Sequence, residues 1–76
     1  MNLELTDTFG GDANYSWVRR TTVEVPSDVS ASTIIRKAKA WAGWTGVRCN
    51  TSWFGDYAEV RPRGVCQVMF ITSEEN

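Results

Sequence analysis

Seventy-six residues, 42% of them hydrophobic and 22% charged, have the composition of one ordinary globular domain, near the lower size limit for a core that folds unaided. A net charge of −1 argues against a strongly basic nucleic-acid binder. The absence of histidine removes Ser-His and Cys-His nucleophile pairs, the commonest general base and histidine metal ligands. With only Cys49 and Cys66, a disulfide framework or a cysteine-rich zinc site is excluded.

The balance of charge hides a distribution. Residues 1–18 hold Glu4, Asp7 and Asp12 and no cation, whereas all eight basic groups fall between Arg19 and Arg63. Four tryptophans are many for this length, and each can bury roughly 200 Å². Most are expected in the core, with one or two left exposed as interface anchors. The opening M-N-L-E-L-T lacks the basic start and apolar run of a signal peptide, and no apolar stretch is long enough to span a membrane. The expected compartment is therefore the cytoplasm.

Leu3 and Leu5 alternate with Asn2, Glu4 and Thr6, the period-two pattern of a half-buried strand. Phe9–Asn14 supplies turn residues, with Gly10 and Gly11 free to take positive φ. Tyr15–Val25 reads as a second strand, with Tyr15, Trp17, Thr21, Val23 and Val25 on one parity and Ser16, Arg20, Thr22 and Glu24 on the other. Arg19 falls on the apolar parity. A bulge near Arg19-Arg20 that re-aims one of them outward would remove the conflict. Pro26 ends the strand.

Ser30, with Ser27 or Asp28 as alternatives, is expected to cap a helix in which Ala31, Ile34, Ile35, Ala38, Trp41 and Ala42 form the apolar stripe, closed by Gly43. Arg36, Lys37 and Lys39 lie opposite, as a solvated face rather than a binding one. Val47–Trp53 alternates again, Phe54-Gly55-Asp56 is a turn, and Tyr57–Arg61 forms the next strand. Pro62-Arg63-Gly64 turns into Val65–Ile71, apolar on both parities except at Gln67, as in a central or doubly covered strand. Residues 72–76 read as a frayed acidic tail. The expectation is a single α+β domain over residues 1–76, ordered β-β-α-β-β-β, with a mostly antiparallel sheet and one helix packed on one face. The spacing of Cys49 and Cys66 suits neighbouring strands, so a single bridge stays open, but two buried thiols are the simpler expectation.

Candidate chemistry is sparse. Asp7 and Asp12 flank the glycine turn and Asp56 and Glu59 surround another; solvated turn carboxylates are a commoner use of this pattern than acid-base catalysis or cation binding. Gly10-Gly11 lacks the Lys-Ser/Thr of a phosphate loop. Neither catalytic residue, metal nor cofactor is expected. The sheet face away from the helix should carry Arg20, Arg48, Arg61 and Tyr57, with Arg63 nearby. Such a face can hold single-stranded nucleic acid by phosphate contact and base stacking, although Glu24 and Glu59 share it and would pair with those arginines. Arg, Tyr and Trp are equally the residues of protein-binding hot spots. The expected partner-binding groups are Phe9, Asp12, Tyr15, Trp17, Arg19, Arg20, Arg48, Tyr57, Arg61 and Arg63.

The stretch Thr6–Arg20, T-D-T-F-G-G-D-A-N-Y-S-W-V-R-R, together with A-K-A-W-A-G-W-T-G and E-V-R-P-R-G, resembles small proteins encoded in phages and prophages. The quoted segments span 30 of the 76 residues, and the resemblance assigns no functional residue. It implies a phage-type accessory protein, for which the expected compartment becomes the host cytoplasm; monomer and homodimer both stay open. Size, origin and absent chemistry then suggest, by analogy with anti-CRISPR proteins, a binder that obstructs a host protein complex. The alternative is a nucleic-acid-binding accessory protein that uses the arginine-bearing sheet face.

Overall fold

Ser30 begins the helix of this chain in the way the sequence suggests. In the computed structural model, which describes residues 1–72, its hydroxyl accepts the backbone N–H of Thr33 and α1 runs Ala31–Ala42. Gly43 closes it at φ 80°, a left-handed geometry that suits glycine, and its N–H returns to the Ala40 carbonyl.

Five strands form one sheet: β1 (Asn2–Phe9), β2 (Asp12–Thr22), β3 (Cys49–Phe54), β4 (Tyr57–Pro62) and β5 (Gln67–Thr72). Their spatial order is β2-β1-β5-β4-β3 and every neighbouring pair is antiparallel. The fold is thus α+β in the order β-β-α-β-β-β. Helix α1 carries the chain from β2 at one edge to β3 at the other, across one face of the sheet. Leu3, Leu5, Val60, Met69 and Ile71 meet Ala38 and Trp44 there, and Ile34, Ile35 and Trp41 pack against this core. Each such aliphatic side chain stabilises the fold by about 1.5–3 kcal/mol through its burial. The Trp44 indole N–H, taken out of water, donates to Gln67 Oε1 at 3.2 Å.

β5 lies in the middle of the sheet and is covered on both sides, as its apolar run implies. Met69 and Ile71 face the helix; Val68, in register with Thr6 on the other face, is also fully buried. The β1–β2 hairpin accounts for that second cover. Arg61 of β4 donates from Nη1 to the carbonyl of Gly11 at 2.6 Å, so the hairpin tip arches across β5.

Several expectations are corrected. The bulge in β2 lies not at Arg19-Arg20 but earlier. Register is continuous from Asn2↔Thr22 to Thr6↔Val18 and then jumps to Thr8↔Ala13, so Asn14–Trp17 stand opposite Asp7 alone. Arg19 therefore keeps the helix-side parity opposite Leu5, and its guanidinium lies over the Trp41 ring, 5.0 Å from the centroid. The hairpin turn shrinks to Gly10-Gly11, at φ 63° and 88°, between the paired Phe9 and Asp12. Cys49 and Cys66 are both free thiols and are not both buried: Cys66 is exposed and Cys49 partly so. The strand β4 separates β3 from β5, so the sequence spacing does not make the two cysteines neighbours. Thr72, expected in the tail, ends β5 opposite Asn2; residues 73–76 lie outside the described residues. Among the described residues the one helix, α1, is not long and apolar enough to cross a membrane.

Candidate functional site

The ten residues expected to bind a partner separate into distinct places. Phe9 and Asp12 flank the glycine turn at the hairpin tip, where Phe9 is 80% exposed. Tyr15 and Trp17 belong to the bulge and remain open to solvent, with Val18 beside them. Arg20, Arg61 and Tyr57 lie on the sheet face away from the helix, as the alternation implies. Arg48 immediately precedes β3 and Arg63 follows β4; both are exposed. Arg19 does not join this set, because it packs on Trp41 on the opposite side.

Two side chains of β1 build the bulge. The Thr6 hydroxyl accepts the backbone N–H of Tyr15 at 3.1 Å and donates to the carbonyl of Trp17 at 2.8 Å. The Asp7 carboxylate accepts the backbone N–H and the hydroxyl of Ser16, at 3.0 and 2.6 Å, and the Asn14 amide at 2.9 Å. Side chains thus replace the ladder bonds that the extra residues of β2 cannot make. Those hydrogen bonds, led by the Ser16 hydroxyl and then the Asn14 amide, lower the Asp7 pKa to about 2.

Tyr15 adopts φ 56°, a left-handed conformation costly for a bulky residue. Its phenol donates to Glu4 Oε1 at 2.9 Å, while Glu4 Oε2 takes the Arg20 Nε at 2.7 Å. The bond to Glu4 raises the Tyr15 phenol above its ordinary value. Glu4 therefore holds both the strained aromatic and Arg20 in place.

Opposing carboxylates offset part of the basic character of the open face. Arg20 pairs with Glu4 rather than Glu24, and Arg61 pairs with Glu59 at 2.9 Å while reaching the hairpin tip. The Glu59 carboxylate holds the Arg61 guanidinium above its usual pKa. Arg48 and Arg63 make no ion pair among the described residues; Arg63 leans on the Asn50 side chain at 3.5 Å.

The sequence reading missed an aromatic pair. Phe54 and Tyr57 stand directly opposite across the Gly55-Asp56 turn and stack with centroids 5.1 Å apart and planes 21° from parallel. Reading Phe54 only as part of a turn signal concealed it; the spacing of two aromatics flanking a two-residue turn was the available clue. Trp53, 52% exposed on the helix side of β3, is a further open aromatic outside the expected set. It borders a groove of about 810 Å³ between the β2–α1 connection and the β3–β4 hairpin, lined mainly by Val25, Pro26, Ile34 and Ile71 with Glu24 and Asp56 at its polar margin.

No group of three or more potential metal ligands occurs among the described residues. No protein-family model, curated protein or solved structure matches this chain.

Proposed function

We propose that this chain is a non-enzymatic, phage-type binding protein that attaches to a host protein complex through its β1–β2 hairpin and inhibits it, in the manner of an anti-CRISPR protein. The observation that carries the binding reading is the fixed shape of the hairpin. Thr6 and Asp7 tie the bulge, Glu4 ties Tyr15 and Arg61 ties the tip, while Phe9, Trp17 and Val18 are left in solvent. Aromatic groups held in place before contact lose little freedom on binding, which is what an interface anchor requires. The phage-type resemblance directs this reading to a host complex, in the host cytoplasm.

The test is affinity capture from bacterial host lysates with the wild-type chain and the Phe9→Ala/Trp17→Ala double variant. A defined host protein retained by the wild type and lost by the variant supports the reading. Equal retention by both, or no retention across plausible hosts, removes it.

One observation favours a second reading. The exposed Phe54–Tyr57 stack lies on the same sheet face as Asn50, while Arg48 and Arg63 stand at the opposite end of the β3–β4 hairpin, a row suited to base stacking at one end and phosphate contact at the other along a single strand. Salt-dependent binding to single-stranded oligonucleotides, lost in Arg48→Ala/Arg63→Ala, would establish it; no binding at low salt would dismiss it.

A further inference from the structure

We propose that two copies of this chain associate by antiparallel pairing of their β3 edges, with Ser52 on the two-fold axis, into one continuous sheet. The two edges of the sheet differ in their defences. β2 carries a multi-residue bulge and the Arg19-Arg20 pair. β3, Cys-Asn-Thr-Ser-Trp-Phe, has no charge, no proline and no break in its pairing with β4. It has none of the devices that normally keep a free edge from pairing.

The direction of its free backbone groups follows from one bond. Arg63 N–H donates to the Arg48 carbonyl at 2.8 Å, which makes Arg48 and Arg63 a hydrogen-bonded pair of the antiparallel ladder. Such pairs alternate. Asn50, Ser52 and Phe54 therefore direct their N–H and C=O toward β4, while Cys49, Thr51 and Trp53 direct theirs to the open edge.

Charge then selects the occupant and the register. The uncharged strand is bracketed by Arg48 at its start and by Asp56 in the turn beyond its end, both exposed and neither in an ion pair among the described residues. A strand with a cation at one end and an anion at the other is complementary to its own antiparallel copy. With Ser52 on the axis, Thr51 falls opposite Trp53 of the second copy, so outward-directed backbone groups meet. The same register brings Arg48 up to the Gly55-Asp56 turn of the second copy, where its long side chain reaches toward the Asp56 carboxylate, twice by symmetry. Shifting the axis to Thr51 would place Arg48 against Phe54 and lose both charge pairs. The register also gives the exposed Trp53 a place. It falls opposite Thr51 of the second copy, beside a groove of about 470 Å³ lined by Thr51, Ile35, Arg36, Lys39 and that copy's own Trp53, so the two tryptophans border adjoining grooves across the seam.

Sedimentation velocity and light scattering of the full chain over a wide concentration range test the proposal. The expected result is a reversible dimer of twice 8.5 kDa. Arg48→Glu and Asp56→Arg, each checked for folding by circular dichroism, should each weaken the dimer about tenfold or more, because each replaces two attractions by two repulsions. The double variant Arg48→Glu/Asp56→Arg should regain most of the wild-type affinity. A monomer throughout, up to millimolar concentration, overturns the proposal. So does a dimer indifferent to both single reversals, or a double variant no better than the singles.

Discussion

Asp7 and Ser16 face each other across the β1–β2 bulge, with the Asp7 carboxylate accepting both the Ser16 hydroxyl at 2.6 Å and its backbone N–H at 3.0 Å. This pair makes the hairpin's shape depend on an ionised carboxylate. The Asp7 pKa is lowered to about 2 from an ordinary 3.8, so ionised Asp7 favours the folded chain at any pH above its ordinary value. That contribution is lost as pH falls through the range from about 4 to about 2. Urea unfolding across this range should show wild type losing stability more steeply than Asp7→Asn. Parallel curves for the two proteins would contradict the role assigned to the carboxylate.

Thr6 is fully buried, and its hydroxyl serves one donor and one acceptor of the β2 backbone. Thr6→Val keeps the shape of the side chain and leaves the Tyr15 N–H and Trp17 carbonyl without that partner, a loss of about 1–3 kcal/mol. Thr6→Ser retains the hydroxyl and should keep more of the stability. Equilibrium unfolding of both variants checks this; equal loss in the two would assign the effect to packing instead.

Arg19 and Arg20 are adjacent in sequence but should respond differently to truncation. Arg20→Ala removes an exposed ion pair with Glu4, for which about 0–1 kcal/mol is expected. Arg19→Ala uncovers the Trp41 ring, a contact of about 0.5–1 kcal/mol or more when desolvated. The sharper distinction is spectroscopic. Arg19→Ala should shift tryptophan emission and increase its quenching by a small polar quencher, whereas Arg20→Ala should leave the Trp41 contribution unchanged.

The helix caps provide an internal standard for the size of these effects. Ser30→Ala removes the side-chain acceptor of the Thr33 N–H and should lower stability by about 1 kcal/mol in thermal or urea unfolding. Unlike Asp7→Asn, it should not alter the shape of the pH profile between about 4 and 2.

Local signals explain how much was legible. Ser30 and Gly43 lie at helix ends whose requirements are written in neighbouring residues, and the strand alternation around Leu3, Val60 and Met69 is likewise local. Arg19 sits on an apolar parity not because the strand bulges there but because its partner, the Trp41 ring, lies on the helix, out of reach of any local pattern. The true bulge depends on Thr6 and Asp7 of the neighbouring strand. Only Asn14 and Ser16, polar residues suited to irregular backbone, hinted at it. The pairing of β1 with β5 joins the two ends of the chain, so neither strand order nor the separation of Cys49 from Cys66 could follow from spacing. At the site, the sequence identifies most of the exposed aromatic and arginine groups and Glu59 as an arginine partner, but not Glu4, which takes the place expected of Glu24 beside Arg20.

Amide hydrogen exchange at Tyr15 and Ser16 tests the central claim, that the hairpin is held in its binding shape before any partner arrives. Both N–H groups lie in a bulge of an edge strand and bond only to the side chains of Thr6 and Asp7. If the hairpin is fixed as described, both amides exchange slowly in the native protein, with Tyr15 losing protection in Thr6→Val and Ser16 in Asp7→Asn. Exchange of both at the rate of an open chain in the wild-type protein would contradict it.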